Sequence, residues 1–236
     1  MAGPAERPFT VVEIVGVAGA GKSTVTRALA ETTGLHTVSR FRSLRHVPSY
    51  LASAARLALT LTRVRATDLR SWRGCNKMVR LRASLAAVRG HERHGCAGVV
   101  FDQGPLFLLT AIDGDRRGEP ASASFSRWRS GELRRSRRTL DVVVMLEAPD
   151  EVLLERIRSR GKHHALKHLR DRPARSGLAT MRSGLERVVD ELASSGTVRV
   201  EWIDTSERSV EQTVRQIVRA TSTLPGAFPA PSPEPS

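Results

Sequence analysis

Residues Gly16-Val17-Ala18-Gly19-Ala20-Gly21-Lys22-Ser23 constrain this chain more than any other stretch. They fit G-x-x-x-x-G-K-[S/T], and their flanks are those the pattern requires. Phe9 to Val15 (FTVVEIV) reads as a buried strand, and Ser23 to Glu31 (STVTRALAE) as a helix. A glycine loop between strand and helix turns its backbone N–H groups inward around a phosphate. The helix N-terminus adds the positive end of its dipole. Gly16 to Thr24 are therefore expected to bind a nucleoside triphosphate. In that expectation Lys22 reaches the β and γ phosphates and the Ser23 hydroxyl ligates Mg²⁺.

The rest of the chain alternates apolar runs with helical patterns. Leu35–Phe41, Gly98–Phe101, Asp141–Leu146 and Thr197–Ile203 read as further strands. Between them, Pro48–Arg65, Leu69–Arg89, Trp128–Leu140, Gly177–Ser194 and Glu207–Thr221 carry helical spacing, as does the stretch opened by Asp150. Short apolar strands separated by helices predict a three-layer α/β fold, a central and mostly parallel sheet covered by helices. One domain is expected over 9–222, with a short basic lid at about 156–176. Residues 1–8 read as a flexible leader, 223–236 as a disordered Pro-rich tail, and Asp113–Ser126 as a polar loop.

The strand Gly98–Phe101 stops at Asp102-Gln103-Gly104-Pro105. An apolar strand ending in an acid places that acid at the ligand crevice, which lies at the carboxyl ends of parallel strands. Asp102 is thus the candidate Mg²⁺ partner, general base, or both; its bland alternative is a turn aspartate. Arg40 ends the second strand and Arg80 sits on an arginine-rich helix face, so both, with Gln103, are candidate contacts to an anionic substrate. A solvated basic surface is the competing explanation for the two arginines. Arg156, Arg158 and Arg160 close a helix and are followed by Gly161, Lys162, His163, His164, Lys167, His168, Arg170 and Arg172. Cations near a helix C-terminus suit its dipole, but this density also suits transferring phosphoryl groups. The histidines lack the accompanying ligand set of a zinc site.

The net charge of +14 favours anionic partners: nucleotides, nucleic acid or acidic surfaces. Aromatic residues are only 4%, too sparse for a base-stacking platform, so nucleic acid is the minor partner class. Cys75 and Cys96 are too few for a disulfide framework. No apolar run has the length of a membrane span. Residues 1–8 lack a basic start leading into an apolar run. A cytoplasmic protein is expected, and a homodimer is admitted. A regulatory GTPase would read guanine with Asn-Lys-x-Asp; Asn76-Lys77-Met78-Val79 lacks the aspartate.

Residues 139–161 (TLDVVVMLEAPDEVLLERIRSRG) resemble the strand-then-lid segment of the thymidylate kinase and deoxynucleoside kinase-like P-loop families. The glycine loop and 98–105 resemble the corresponding motifs of the same families. The resemblance implies an ATP- and Mg²⁺-dependent phosphotransferase moving a γ-phosphoryl group to a nucleoside-like, nucleotide-like or other small hydroxyl or phosphate acceptor. A polynucleotide kinase and a regulatory P-loop NTPase are the alternatives. It further implies that Lys22 and Ser23 hold triphosphate and Mg²⁺, that Asp102 lies by the metal and attacking group, and that Arg156 and Arg160 reach phosphates from the lid. Asp204 and Thr205 would lie by the base. Two departures separate this chain from both families. Thymidylate kinases commonly follow the aspartate with an arginine, where Gln103 stands here. Deoxynucleoside kinases end the second strand in an acid, where Arg40 stands here.

Overall fold

The computed structural model describes residues 9–39, 54, 72–116, 121–161 and 164–222. Five strands, β1 (Thr10–Gly16), β2 (His36–Ser39), β3 (Gly98–Asp102), β4 (Val142–Glu147) and β5 (Arg199–Asp204), form one sheet in the order β2-β3-β1-β4-β5. Every pairing is parallel. The three central strands are apolar on both faces, which suits a sheet covered on both sides. Val12, Ile14, Val99, Val100 and Val142–Val144 are fully buried. Each such side chain contributes about 1.5–3 kcal/mol by leaving water.

Parallel neighbours need crossovers, and helices supply them. They are α1 (Lys22–Thr33), α2 (Trp72–Arg93), α3 (Pro105–Asp115), α4 (Ala123–Thr139), α5 (Asp150–Ser159), α6 (Asp171–Ala193) and α7 (Val210–Ser222). Helices α1 and α7 pack together on one side, while α2, α3, α4 and α6 pack on one another on the other. The result is the expected three-layer arrangement. No helix among the described residues is long and apolar enough to cross a membrane.

Two ion-pair groups join the second helical layer. Arg129 of α4 donates Nε to both oxygens of Asp113 on α3, and Nη1 to Glu191 on α6 at 2.6 Å. Arg82 of α2 donates to Glu132 of α4 at 2.8 Å; Glu132 is 1% exposed. These pairs change the reading of residues 113–126. That stretch looks like a loop because it is polar and holds glycine. Instead α3 runs on to Asp115, where Lys77 pairs with it, and α4 opens at Ala123. Ser122 caps α4 by accepting the Phe125 amide, and Phe125 is buried at 2% exposure. Only 117–120 of the expected loop lie outside the described residues. Helix α6 likewise starts at Asp171, before the expected Gly177. Pro173 is its third residue, where a missing N–H removes no helical bond. The expected helix over Pro48–Arg65 lies outside the described residues except for Ala54. The leader 1–8 and the tail 223–236 lie outside them as well.

Because all strands point the same way, Gly16, Asp102, Glu147 and Asp204 end side by side on one edge of the sheet. That edge carries the candidate site.

Candidate active site

The glycine loop leaves β1 under close packing. Gly16 has φ +149°, and a Cβ there would sit 2.4 Å from the Leu146 carbonyl oxygen of β4. Gly19 has φ +90°, and its Cβ would sit 2.7 Å from the Leu153 carbonyl oxygen of α5. Glycine is thus demanded both by backbone conformation and by contact. Val17, Ala18 and Ala20 complete the loop, Ala20 N–H closing a turn on Val17 O at 3.3 Å. Gly21 is the N-cap of α1 and supplies no side-chain cap. The first amides of α1, those of Lys22 and Ser23, are ones a helix leaves for an outside acceptor, and an anion is the acceptor they favour, while the Thr24 amide already turns back to Gly21 O at 3.0 Å.

Lys22 folds back over the loop and donates Nζ to Val17 O at 2.8 Å. Burial lowers its ammonium to about 8, Asp102 opposing the shift and Arg160 adding to it. Lys22, Asp102 and Arg160 therefore share one electrostatic neighbourhood. Ser23 Oγ donates to Asp102 Oδ2 at 2.8 Å, joining α1 to the end of β3. The other oxygen, Asp102 Oδ1, is buried without a hydrogen-bond partner. An unmet carboxylate oxygen inside a protein costs about 1–3 kcal/mol or more. A hard cation would remove that cost, and a hydroxyl beside a carboxylate is oxygen chemistry suited to Mg²⁺, which takes one or two carboxylates plus phosphate oxygens. The residues present fit the metal.

Chain direction changes abruptly after Asp102. Gln103 adopts φ +66°, a left-handed conformation that a side chain enters at a cost of about 1–2 kcal/mol. Gly104 then opens α3 in an extended conformation, followed by Pro105 in the first helical position. Such strain at the end of a strand is typical of binding sites.

The arginines of α5 have separate positions. Arg156 donates Nη1 to Thr205 Oγ1 at 3.1 Å and Nη2 to Thr205 O at 2.8 Å. Thr205 is buried and donates its own amide and hydroxyl to Glu147 O at 2.8 and 2.9 Å. In this arrangement Arg156 ties α5 to the loop after β5. Asp204 is exposed; its bond from Ser206 holds it below the usual carboxylate range. Arg160, the C-cap of α5, leaves the helix with ψ 140°. Arg158 pairs with Asp171 at 2.6 Å, and Arg175 with Glu151 at 2.5 Å. Lys167 Nζ donates to Arg160 O. Arg80 is half-buried on α2, and Arg40, Lys162 and His163 lie outside the described residues.

A residue overlooked in the sequence is Glu13, in the centre of β1 and 0% exposed. Its signal was present: one acid interrupting an apolar strand, where carboxylates are rarely found unpaired. Burial raises its carboxyl to about 7, against the lowering effect of amides from Leu106, Phe107 and Gly104.

A family model described as AAA domain matches residues 12–175. No curated protein matches the chain in sequence. Among solved structures, deoxyadenosine kinase from M. mycoides with bound dCTP aligns with a TM-score of 0.54 at 14% identity, covering 89% of this chain and 98% of that one. The same enzyme with bound dATP gives 0.52 at 14% identity, over 90% and 98%. The YorR protein from Bacillus subtilis, in complex with phosphorylated GDP, gives 0.50 at 15% identity, over 89% and 95%. At these identities the likeness is one of fold.

Proposed function

The chain belongs to the AAA domain family, and from that premise we propose that it is an ATP- and Mg²⁺-dependent phosphotransferase with a small-molecule acceptor. The observation that carries this reading is the Ser23–Asp102 couple beside the glycine loop, with Asp102 Oδ1 buried and unpartnered. A nucleotide-binding loop alone fits any phosphate ligand. A loop facing a carboxylate with a free oxygen also supplies a group for the metal or for the acceptor's proton.

In this reading the loop amides and Lys22 hold the β and γ phosphates. Ser23 and Asp102 would hold Mg²⁺, which neutralises phosphate charge and orients the phosphates. Asp102 also stands where an acceptor hydroxyl could be aligned. Transfer joins the acceptor oxygen to the γ phosphorus, a hydroxyl acceptor giving up its proton to Asp102 and then to solvent, breaks the bond to the β–γ bridging oxygen, and releases ADP. Arg160, near Lys22, stabilises the charge that gathers on the transferring oxygens. Asp204 and Thr205 would border the base, with Arg156 holding Thr205 in place. Arg40, Arg80 and Gln103 are the candidate acceptor contacts. The nucleoside-kinase fold makes nucleosides and nucleotides the first acceptors to assay, ahead of sugars.

The test is ATP turnover against that panel, with Mg²⁺ present or chelated. Acceptor-dependent ADP formation that needs Mg²⁺ and is lost in Lys22→Ala is expected. Turnover indifferent to Lys22→Ala would remove this site from the reaction.

A further inference from the structure

Side chains alternate along a strand, so Glu13 points away from the face shared by Val12 and Ile14. It pairs in register with Phe101 on β3 and Val143 on β4. Its carboxylate reaches the first turn of α3, accepting the Leu106 amide on both oxygens at 3.0 Å and the Phe107 amide at 3.1 Å. The backbone accounting at this helix start is then complete. Gly104 has no side chain to cap with, Pro105 has no N–H, and Leu108 N–H returns to Gly104 O at 3.1 Å. Glu13 takes the donors that a capping side chain would otherwise satisfy, and does so from a neighbouring strand. When ionised, its carboxylate also faces the positive end of the helix.

The clamp bears directly on the turn after Asp102. A Cβ on Gly104 would lie 2.7 Å from Phe101 Cβ and 2.8 Å from the Glu13 carboxyl carbon, so the turn is pressed against the clamp. Between Gly104 and Asp102 stands only Gln103, with its left-handed φ of 66°. The strain at Gln103 is held by what surrounds the turn, and Glu13 is buried against its next residue, Gly104. Asp102 on the far side of that turn meets Ser23 at 2.8 Å.

We propose that Glu13 is a positioning residue of the phosphate site: by gripping the first amides of α3 it holds the turn at Gln103 and sets the aim of the Asp102 carboxylate toward Ser23 and the metal. It touches neither nucleotide nor acceptor. The proposal rests on the reading of Ser23 and Asp102 as the metal side of the site.

The experiment measures binding of a fluorescent ATP analogue in EDTA and across a Mg²⁺ titration, in wild type and Glu13→Gln. Loss of an outer partner of a metal-binding group typically costs 10–100-fold in metal affinity. Glu13→Gln is expected to raise the Mg²⁺ half-saturation point by at least about tenfold while metal-free binding changes by less than about twofold. Combined with Asp102→Asn, it should add little further loss, since both act through one carboxylate. If Glu13→Gln fails to fold, Gly104→Ala displaces the turn with the carboxylate in place and is expected to show the same selective loss. Unchanged Mg²⁺ dependence overturns the proposal, as does an equal loss of binding with and without metal, the mark of a plain helix cap. A wild type that binds no nucleotide overturns the underlying reading instead, and the inference falls with it.

Discussion

Where β1 turns into α1, position is set by backbone against backbone. Gly16 rests on the Leu146 carbonyl and Gly19 on the Leu153 carbonyl, with no room for a methyl group. On the flank between α5 and α6, the same sheet edge is bounded by charge pairs on the surface, Arg158 with Asp171 and Arg175 with Glu151. Close packing resists displacement steeply, whereas exposed ion pairs are screened and contribute little. The contrast assigns different tasks. The loop is fixed by close packing, and the flank is held by charge pairs that exchange partners at little cost. Arg156 and Arg160 differ as well: Arg156 is bonded to Thr205, while the charge of Arg160 acts on Lys22.

Gly16→Ala should produce the largest effect, because it attacks the packed side. Overlap with Leu146 and the positive φ together are expected to cost about 3 kcal/mol in denaturant unfolding and to abolish nucleotide binding. Retained stability and binding would mean that the loop is as pliable as the flank.

Lys22→Ala comes next. Removing a preorganised charge at a transferring group is expected to lower turnover by about 10²–10³-fold. The melting temperature should hold or rise. The sign follows from the ammonium being held at about 8 when folded, below its ordinary 10.5, so its charged form is disfavoured in the fold at neutral pH. Bound phosphates favour that charged form. Above about pH 8, binding should therefore take up a proton and weaken as pH rises. Calorimetry in buffers of different ionisation enthalpy measures the uptake; a buffer-independent heat would contradict it.

Arg160→Ala and Arg156→Ala should part company. The first is expected to lower turnover with stability unchanged. The second, losing two hydrogen bonds to Thr205, should cost about 1–2 kcal/mol of stability and weaken nucleotide binding modestly. Equal kinetic losses would place both arginines on phosphate in the working complex. Smallest of all, Arg175→Ala should leave the thermal transition unshifted, since its pair with Glu151 is exposed.

What could be read from the chain followed the reach of the physical signal. The loop was legible because its glycines, lysine and serine are contiguous and the turn they make is local. Asp102 was legible because an apolar run ending in an acid marks a strand's carboxyl end. The extent of α3 was not, since the helix over Asp113–Asp115 is sustained by Arg129 and Lys77 from other elements. The division between Arg156 and Arg160 was equally hidden. Four residues apart, they would share a helix face. The helix ends at Ser159, so Arg160 departs in an extended conformation while Arg156 stays within bond distance of Thr205.

Glu13 marks the boundary between the two kinds of information. The sequence by itself determined the parallel α/β architecture and a phosphate loop, because hydrophobic period and glycine spacing act over a few residues. It also displayed an acid inside an apolar strand. Only the tertiary structure decided what that acid does, since the amides it holds lie 93 and 94 positions along the chain. The same holds for Ser23 and Asp102, 79 positions apart and brought to 2.8 Å by the pairing of β1 with β3. A contact across such a span is set by strand order and register, which no local pattern encodes.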